Sequence, residues 1–346
     1  MRDNQTKNPG WRKFAKLAPS IGIFASVILG DALAHHVSVG GPSASAGPIN
    51  TVSPETIDKG RWSVGVRTQI INYDSFSDTE LENFALAGFE EVHNTDAAYV
   101  ASFALEYGVT DDLSVGLITP YVLRYDIREG ELENGIPEAH VLGDVRGFGD
   151  LTLTAKHRVL NHEENPFSLA LLAGLQIPTG ETNKLADDGN RFETEFQPGS
   201  GSWNPIFGVA AGRPVGPFSI NGNVSYTLAT DGAQNTNLGD NLAYNLGVSY
   251  RIGKGAHTHD DGAFEQHRAL DLVLELNGEW QERERVGAAL DANSGGTQLF
   301  IAPGLRYVSA QGWNSHVSVG FPIQEDLNGI QNDTDIRVSF GVGASF

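Results

Sequence analysis

Three groups of residues in this chain have types and spacings that could do chemistry. The first is the pair His35-His36. Adjacent imidazoles beside a free α-amine make a ligand set for copper or another divalent ion, so His35 and His36 are the candidate metal ligands. The second is His257, His259 and His267 with Asp260 and Asp261, a polar stretch that reads as solvated surface. The third is a series of charges set into otherwise alternating segments. Its bases are Arg67, Arg124, Lys156, Arg158, Arg251, Arg306 and Arg337, and its acids are Glu106, Asp271, Glu275 and Glu279. Facing rows of opposite charge make a selective constriction when they border water. Packed together, they make an ion-pair network that fills a narrow space. The stretch Asp291-Ala-Asn293-Ser-Gly295-Gly296 starts like a calcium loop, but Ala302 stands where the closing glutamate belongs, so it reads as a turn. Gly-x-Ser-x-Gly, a phosphate-binding glycine loop with lysine, and His-Glu-x-x-His are all missing. The chain therefore reads as a non-enzyme with no cofactor.

Composition narrows the setting. The 346 residues include 41 glycines and no cysteine, and the net charge is −20. Without cysteine there is no disulfide framework, thiolate metal site, thiol nucleophile or lipoprotein anchor. The acidity argues against nucleic acid, which needs Lys and Arg to neutralise phosphates. At the start, Arg2, Lys7, Arg12, Lys13 and Lys16 precede an uncharged run from Leu17 to Leu29, and Ala32-Leu33-Ala34 follows. This predicts an export signal over residues 1–34, cleaved before His35. The run is shorter than the ~20 residues of a spanning helix. Residues 35–59 are rich in Gly, Ser and Pro (Gly40-Gly41-Pro42, Ala46-Gly47-Pro48). They read either as a loose periplasmic tether or as a plug folded into the space that residues 60–346 enclose.

The elements that must position the charged rows alternate with period two. At the end of the chain Ile336, Val338, Phe340, Val342, Ala344 and Phe346 share one face. Leu270, Leu272, Leu274 and Leu276 do the same, set against Asp271, Glu275 and their neighbours. Such strands fit a sheet with one greasy face and one polar face. Twelve segments follow this pattern, near 61–73, 97–107, 113–125, 150–160, 167–177, 202–212, 218–229, 241–252, 269–280, 297–308, 314–323 and 335–346. Their connections are alternately short and long, as the periplasmic turns and external loops of an outer-membrane barrel are. The long connection 253–268 on the short side breaks the rule, which leaves ten to fourteen strands as the bounds. A soluble sandwich or solenoid also alternates. Three features favour the membrane: strands long enough to cross at a tilt, aromatics at strand ends (Trp62, Tyr107, Tyr307, Trp313), and a final amphipathic strand closed by Phe346. The predicted fold is thus an all-β, antiparallel transmembrane β-barrel of about twelve strands in a Gram-negative outer membrane. Its partners would be outer-membrane lipids and lipopolysaccharide, the assembly machinery reading Phe346, and a small-molecule permeant. The excess acid lies in the six long connections. There it keeps loops solvated and bridged to lipopolysaccharide through divalent cations, or makes a mouth that disfavours anions.

Three stretches carry a resemblance: Gly147-Phe148-Gly149-Asp150-Leu151-Thr152-Leu153-Thr154-Ala155-Lys156, then Leu175-Gln176-Ile177-Pro178-Thr179-Gly180, then Gln197-Pro198-Gly199-Ser200-Gly201-Ser202-Trp203. With the strand-rich remainder, over roughly 97–346, the chain resembles the outer-membrane transporter family named for the MetA pathway of phenol degradation. The resemblance implies a barrel admitting small, often aromatic or hydrophobic, compounds. It defines no binding residues, and its motifs fix hairpins more than any ligand. The expectation is a passive channel for small neutral or cationic solutes, gated by 74–96 and 126–149 and lined by the charged rows. A metal-linked envelope barrel and a closed structural barrel are the alternatives.

Overall fold

The computed structural model of the chain describes residues 46–89, 92–254, 257–258, 264–265 and 267–346. The expected export signal and the candidate ligands His35 and His36 lie outside the described residues.

Alternation does what the sequence demands of it. The strands are β1 (Trp62–Asp74), β2 (Val92–Asn94), β3 (Ala97–Thr110), β4 (Leu113–Glu133), β5 (Ile136–Phe148), β6 (Leu151–Leu160) and β7 (Ser168–Ile177). They continue with β8 (Asn204–Val215), β9 (Phe218–Thr227), β10 (Asn241–Gly253), β11 (Ala269–Gln281), β12 (Gly296–Val308), β13 (Trp313–Leu327) and β14 (Asp333–Ser345). All belong to one antiparallel sheet. β2 pairs only with the outer extension of β4, and β5 pairs only with β4, from Tyr121 outward. The other twelve close on themselves, because β1 pairs with β14 and β4 with β6. A closed sheet leaves no unpaired edge in the wall, which is the condition for crossing a bilayer with strands.

The two faces of the wall differ sharply. On β11, Leu274 is 51% exposed on the outside and Glu275 is 1% exposed on the inside. Aromatic pairs mark the ends of the strands: Trp62–Tyr107 and Tyr307–Trp313 near the short turns, Tyr99–Tyr125 and Tyr121–Phe148 near the long connections. These are the girdle positions of a membrane barrel. An apolar hollow of about 700 Å³, lined by Phe167, Val209, Ile220, Val224, Leu246 and Leu276, lies on this outward belt and not in the lumen. Among the described residues no helix is long and apolar enough to cross a membrane.

Two of the long connections are folded where the sequence reading left loops. Segment 126–149 is a hairpin: β4 runs beyond the barrel and returns as β5 around Asn134-Gly135, both at positive φ (53° and 79°). That is the geometry of a tight two-residue turn, which Asn-Gly supplies. Segment 74–96 contains the helix α1 (Asp78–Leu86), opened by a reciprocal capping box between Ser77 and Glu80. The helix buries Leu81 and Phe84 against Val92 and Ile330. A second apolar cluster of Ile127, Val145, Ala186, Phe192 and Phe196 joins the hairpin to connection 178–203. Together they build a cap on the external end. The irregular connection 254–268 carries its own small ladder, pairing His257 with Glu265.

Candidate functional site

Every charged residue read as lumen-facing sits on the inner face of a barrel strand, and most meet a segment from the chain's own beginning. Residues 46–57 cross the interior as a strap. Ala46, Ile49, Thr51 and Val52 are buried there. The strap is irregular, so its backbone amides have no ladder and must find acceptors on the wall. Glu275 supplies most of them. Its carboxylate accepts from the amides of Ile49 (3.1 Å), Asn50 (2.9 Å) and Thr51 (2.8 Å), and from Asn50 Nδ2 (2.7 Å). Arg67 donates to Asn50 Oδ1 at 2.6 Å and to Ser339 at 3.0 Å. Further along the strap, the Val52 amide donates to Asn223 Oδ1 (2.8 Å) and the Ile57 amide to Ser114 Oγ (2.7 Å).

Nearer the periplasmic end the charges neutralise one another around the strap's first residues. Cross-strand register places Asp271 between Arg251 and Arg306. Arg251 forks onto Asp271 with Nε–Oδ1 and Nη2–Oδ2 both at 2.7 Å. Asp271 also accepts from the Gly47 amide at 3.2 Å, and Ser249 donates to the Gly47 carbonyl at 3.0 Å. A Cβ on residue 47 would collide with the Arg306 guanidinium, which would have to move aside. Arg158 pairs with Glu55 at 2.9 Å and with Asp112 at 3.0 Å. Lys156 reaches the Ser53 carbonyl at 3.5 Å and lies within electrostatic range of Glu106.

The remaining predicted residues serve the outer half. Arg337 pairs with Glu279 at 2.6 Å, donates to Gln298 at 2.8 Å and lies over the Phe300 ring. Arg124 does not meet the strap. It donates to the carbonyls of Phe196 (2.8 Å) and Gln197 (3.3 Å), tying the wall to the cap. Among the described residues the charged rows pair with one another and with residues 46–57, which run between them.

The three family-like stretches meet at one buried carboxylate. Asp150 stands between β5 and β6 and is fully buried. It accepts from the Gly180 amide (2.8 Å), the Ser200 amide (2.7 Å) and hydroxyl (2.6 Å), and Gln176 Nε2 (3.2 Å). Gly180 and Gly199 touch backbone to backbone, where any side chain would clash. The stretches thus tie the β5–β6 junction to both ends of the connection between β7 and β8.

In the cap, His93 is buried against Phe196, with rings 4.9 Å apart and edge to face. Its Nδ1 lies 3.2 Å from Glu195, and its Nε2 lies 3.7 Å from Glu193 and 3.8 Å from Glu129. Burial alone would push the imidazole down. The bond to Glu195 and the charges of Glu195, Glu193 and Glu129 overturn this and raise it to about 10. Glu284 is 7% exposed, and its carboxylate has no hydrogen bond or ion pair among the described residues. Burial pushes it up to about 9, and the charges of Glu195, Asp291 and Glu193 add to that. Sequence reading missed this cluster, since its members come from four separate stretches with no shared spacing. Asp291 itself forms the expected turn, accepting from the Asn293 amide at 2.8 Å.

A closed barrel with an apolar belt, aromatic girdles and a charged interior defines an outer-membrane β-barrel. Residues 118–321 match the family described as "Putative MetA-pathway of phenol degradation", and the chain belongs to that family. Among solved structures, the COG4313 outer membrane channel from Pseudomonas putida F1 is similar at 16% identity and a TM-score of 0.55, covering 84% of this chain and 97% of that one. The β domain of the Bordetella autotransporter BrkA aligns at 11% identity and a TM-score of 0.42, over 84% and 100% of the two chains. The Pseudomonas putida toluene transporter TodX aligns at 10% identity and a TM-score of 0.40, over 89% and 96%. No curated protein matches the chain.

Proposed function

We propose that this protein is an outer-membrane channel for passive uptake of small solutes, neutral or cationic and including aromatic compounds, with residues 46–57 as a removable closure. The observation that carries the reading is the way the strap is held. Amides of three consecutive residues converge on the single carboxylate of Glu275, and much of the strap's contact with the wall is polar. A segment held by polar bonds in a polar lumen exchanges them for water when it leaves, at a net cost of about 1.5–3 kcal/mol per bond to a charged group. An apolar core has no such exit. Family membership supports a small aromatic permeant, since the family's name refers to phenol degradation. The acidic connections support rejection of anions. Arg67, Glu106, Lys156, Arg158, Arg251, Asp271, Glu275, Glu279, Arg306 and Arg337 then become the pore lining once the strap withdraws.

The test is conductance of the folded chain in planar bilayers, wild type against Glu275→Gln. The wild type is expected to show brief, cation-preferring openings, and the variant longer and larger ones. A folded barrel lacking residues 46–57 that passes no current and admits no phenol into liposomes would leave only a closed structural barrel.

A further inference from the structure

The cap cluster takes no part in the proposed closure by residues 46–57 and is unexplained by it. His93, Glu193 and Glu195 each offer a ligand atom, and these atoms lie within 4.8 Å of one another. The close contacts use both ring nitrogens, Nε2 to Glu193 at 3.7 Å and Nδ1 to Glu195 at 3.2 Å, so one ion would take one nitrogen and draw the other carboxylate round to it. Bonds near 2.1 Å in a tetrahedron put ligand atoms about 3.4 Å apart. The second observation is Glu284. It is 7% exposed, its carboxylate has no hydrogen-bond or ion-pair partner among the described residues, and it lies within electrostatic range of Glu193, Glu195, Asp291 and His93. Glu284 is buried, Glu195 is partly buried and Glu193 closes the cluster from the exposed side; carboxylates crowded in this way are held together at lowest cost by a cation.

We propose that His93, Glu193 and Glu195, with Glu284 beside them, bind one divalent transition-metal ion that clamps the external cap. The donor set chooses the ion. An imidazole with carboxylates and no thiolate suits Zn²⁺ or Mn²⁺, whereas Mg²⁺ and Ca²⁺ prefer all-oxygen shells. The position chooses the effect. His93 comes from the connection after β1, Glu193 and Glu195 from the one after β7, and Glu284 from the one after β11. One ion would therefore join three external connections that otherwise meet through side-chain contacts. The site is independent of whether the barrel conducts.

The full chain, folded in detergent micelles, is titrated with ZnCl₂, MnCl₂ and MgCl₂ by calorimetry, and trypsin cleavage of the external connections is followed in parallel. The expected result is one Zn²⁺ per chain, Mg²⁺ at least tenfold weaker, and slower cleavage with Zn²⁺. In a Glu193→Gln, Glu195→Gln variant the affinity drops tenfold or more and the protection disappears. Should that variant fail to fold, Glu193→Gln alone serves, because its side chain is 56% exposed, and the same loss is expected in smaller measure. Absence of saturable Zn²⁺ binding overturns the assignment. So does Zn²⁺ binding that persists unchanged in the variants, since the ion then sits on other histidines.

Discussion

Inside the barrel, residues 46–57 are held largely by amides and side chains that find acceptors or countercharges on the wall. Over the external mouth, the cap is held by two apolar clusters and by carboxylates that outnumber the cations near them. Glu275 shows the first arrangement and Glu284 the second. Both are buried glutamates, but one gathers donors from the strap and the other has only charges for company. The difference teaches that burial of an acid has two outcomes. Where donors are supplied, the carboxylate fixes a segment in one place. Where they are lacking, it leaves a local demand for positive charge.

The largest effect that would break the contrast belongs to the lumen. Asp271→Asn leaves Arg251 and Arg306 without their shared carboxylate, and removing one partner of a buried pair costs about 3–5 kcal/mol. Urea unfolding in liposomes should shift by that amount while trypsin cleavage of the cap stays as in wild type. Parallel loss of the cap would mean the two ends are one unit. Next comes Leu81→Ala, which hollows the cap's apolar cluster at a cost of about 3 kcal/mol. Here α1 should become protease-sensitive and the barrel's unfolding midpoint should barely move, because the cap opens locally. Ser77→Ala removes the helix cap, costs about 1 kcal/mol, and should raise amide exchange in the first turn of α1 only. The smallest effect is a response to acid. A bond from Lys184 holds the Glu181 carboxyl below its usual range; slight burial opposes this, and the Phe148 amide assists. A depressed carboxyl contributes stability above the ordinary carboxylate range and loses it as pH falls through the depressed value. Corrected for intrinsic rates, exchange at the Phe148 amide should therefore quicken as pH falls below the ordinary carboxylate range, and Glu181→Gln should abolish that step.

Much of this was legible in the chain itself. Period-two alternation located all twelve barrel strands, because an inward Glu275 beside an outward Leu274 is a pattern only a two-faced wall produces. The same alternation placed the charged rows inside. Two signals were present and unread: Ser77 with Glu80 three residues on, which opens α1, and Asn134-Gly135, which turns the hairpin. The strap was one of two readings for residues 35–59, and residue types did not choose between them, since what holds it is mainly backbone amides donating to a wall 224 to 226 positions away. The His93 cluster had no signature at all, because its residues are gathered by the folding of separate connections.

The strap also bears on how the barrel is completed. Its bonds to Asp271 and Glu275 can form only after more than two hundred further residues have been placed, so they come late. A slip of one residue in β11 would turn Glu275 toward lipid and present Leu274 or Leu276 to the strap. A misregistered barrel would then leave the strap unbound in the periplasm. Docking of residues 46–57 thereby acts as an inspection step: a strap that resists protease reports a wall whose every strand is in register.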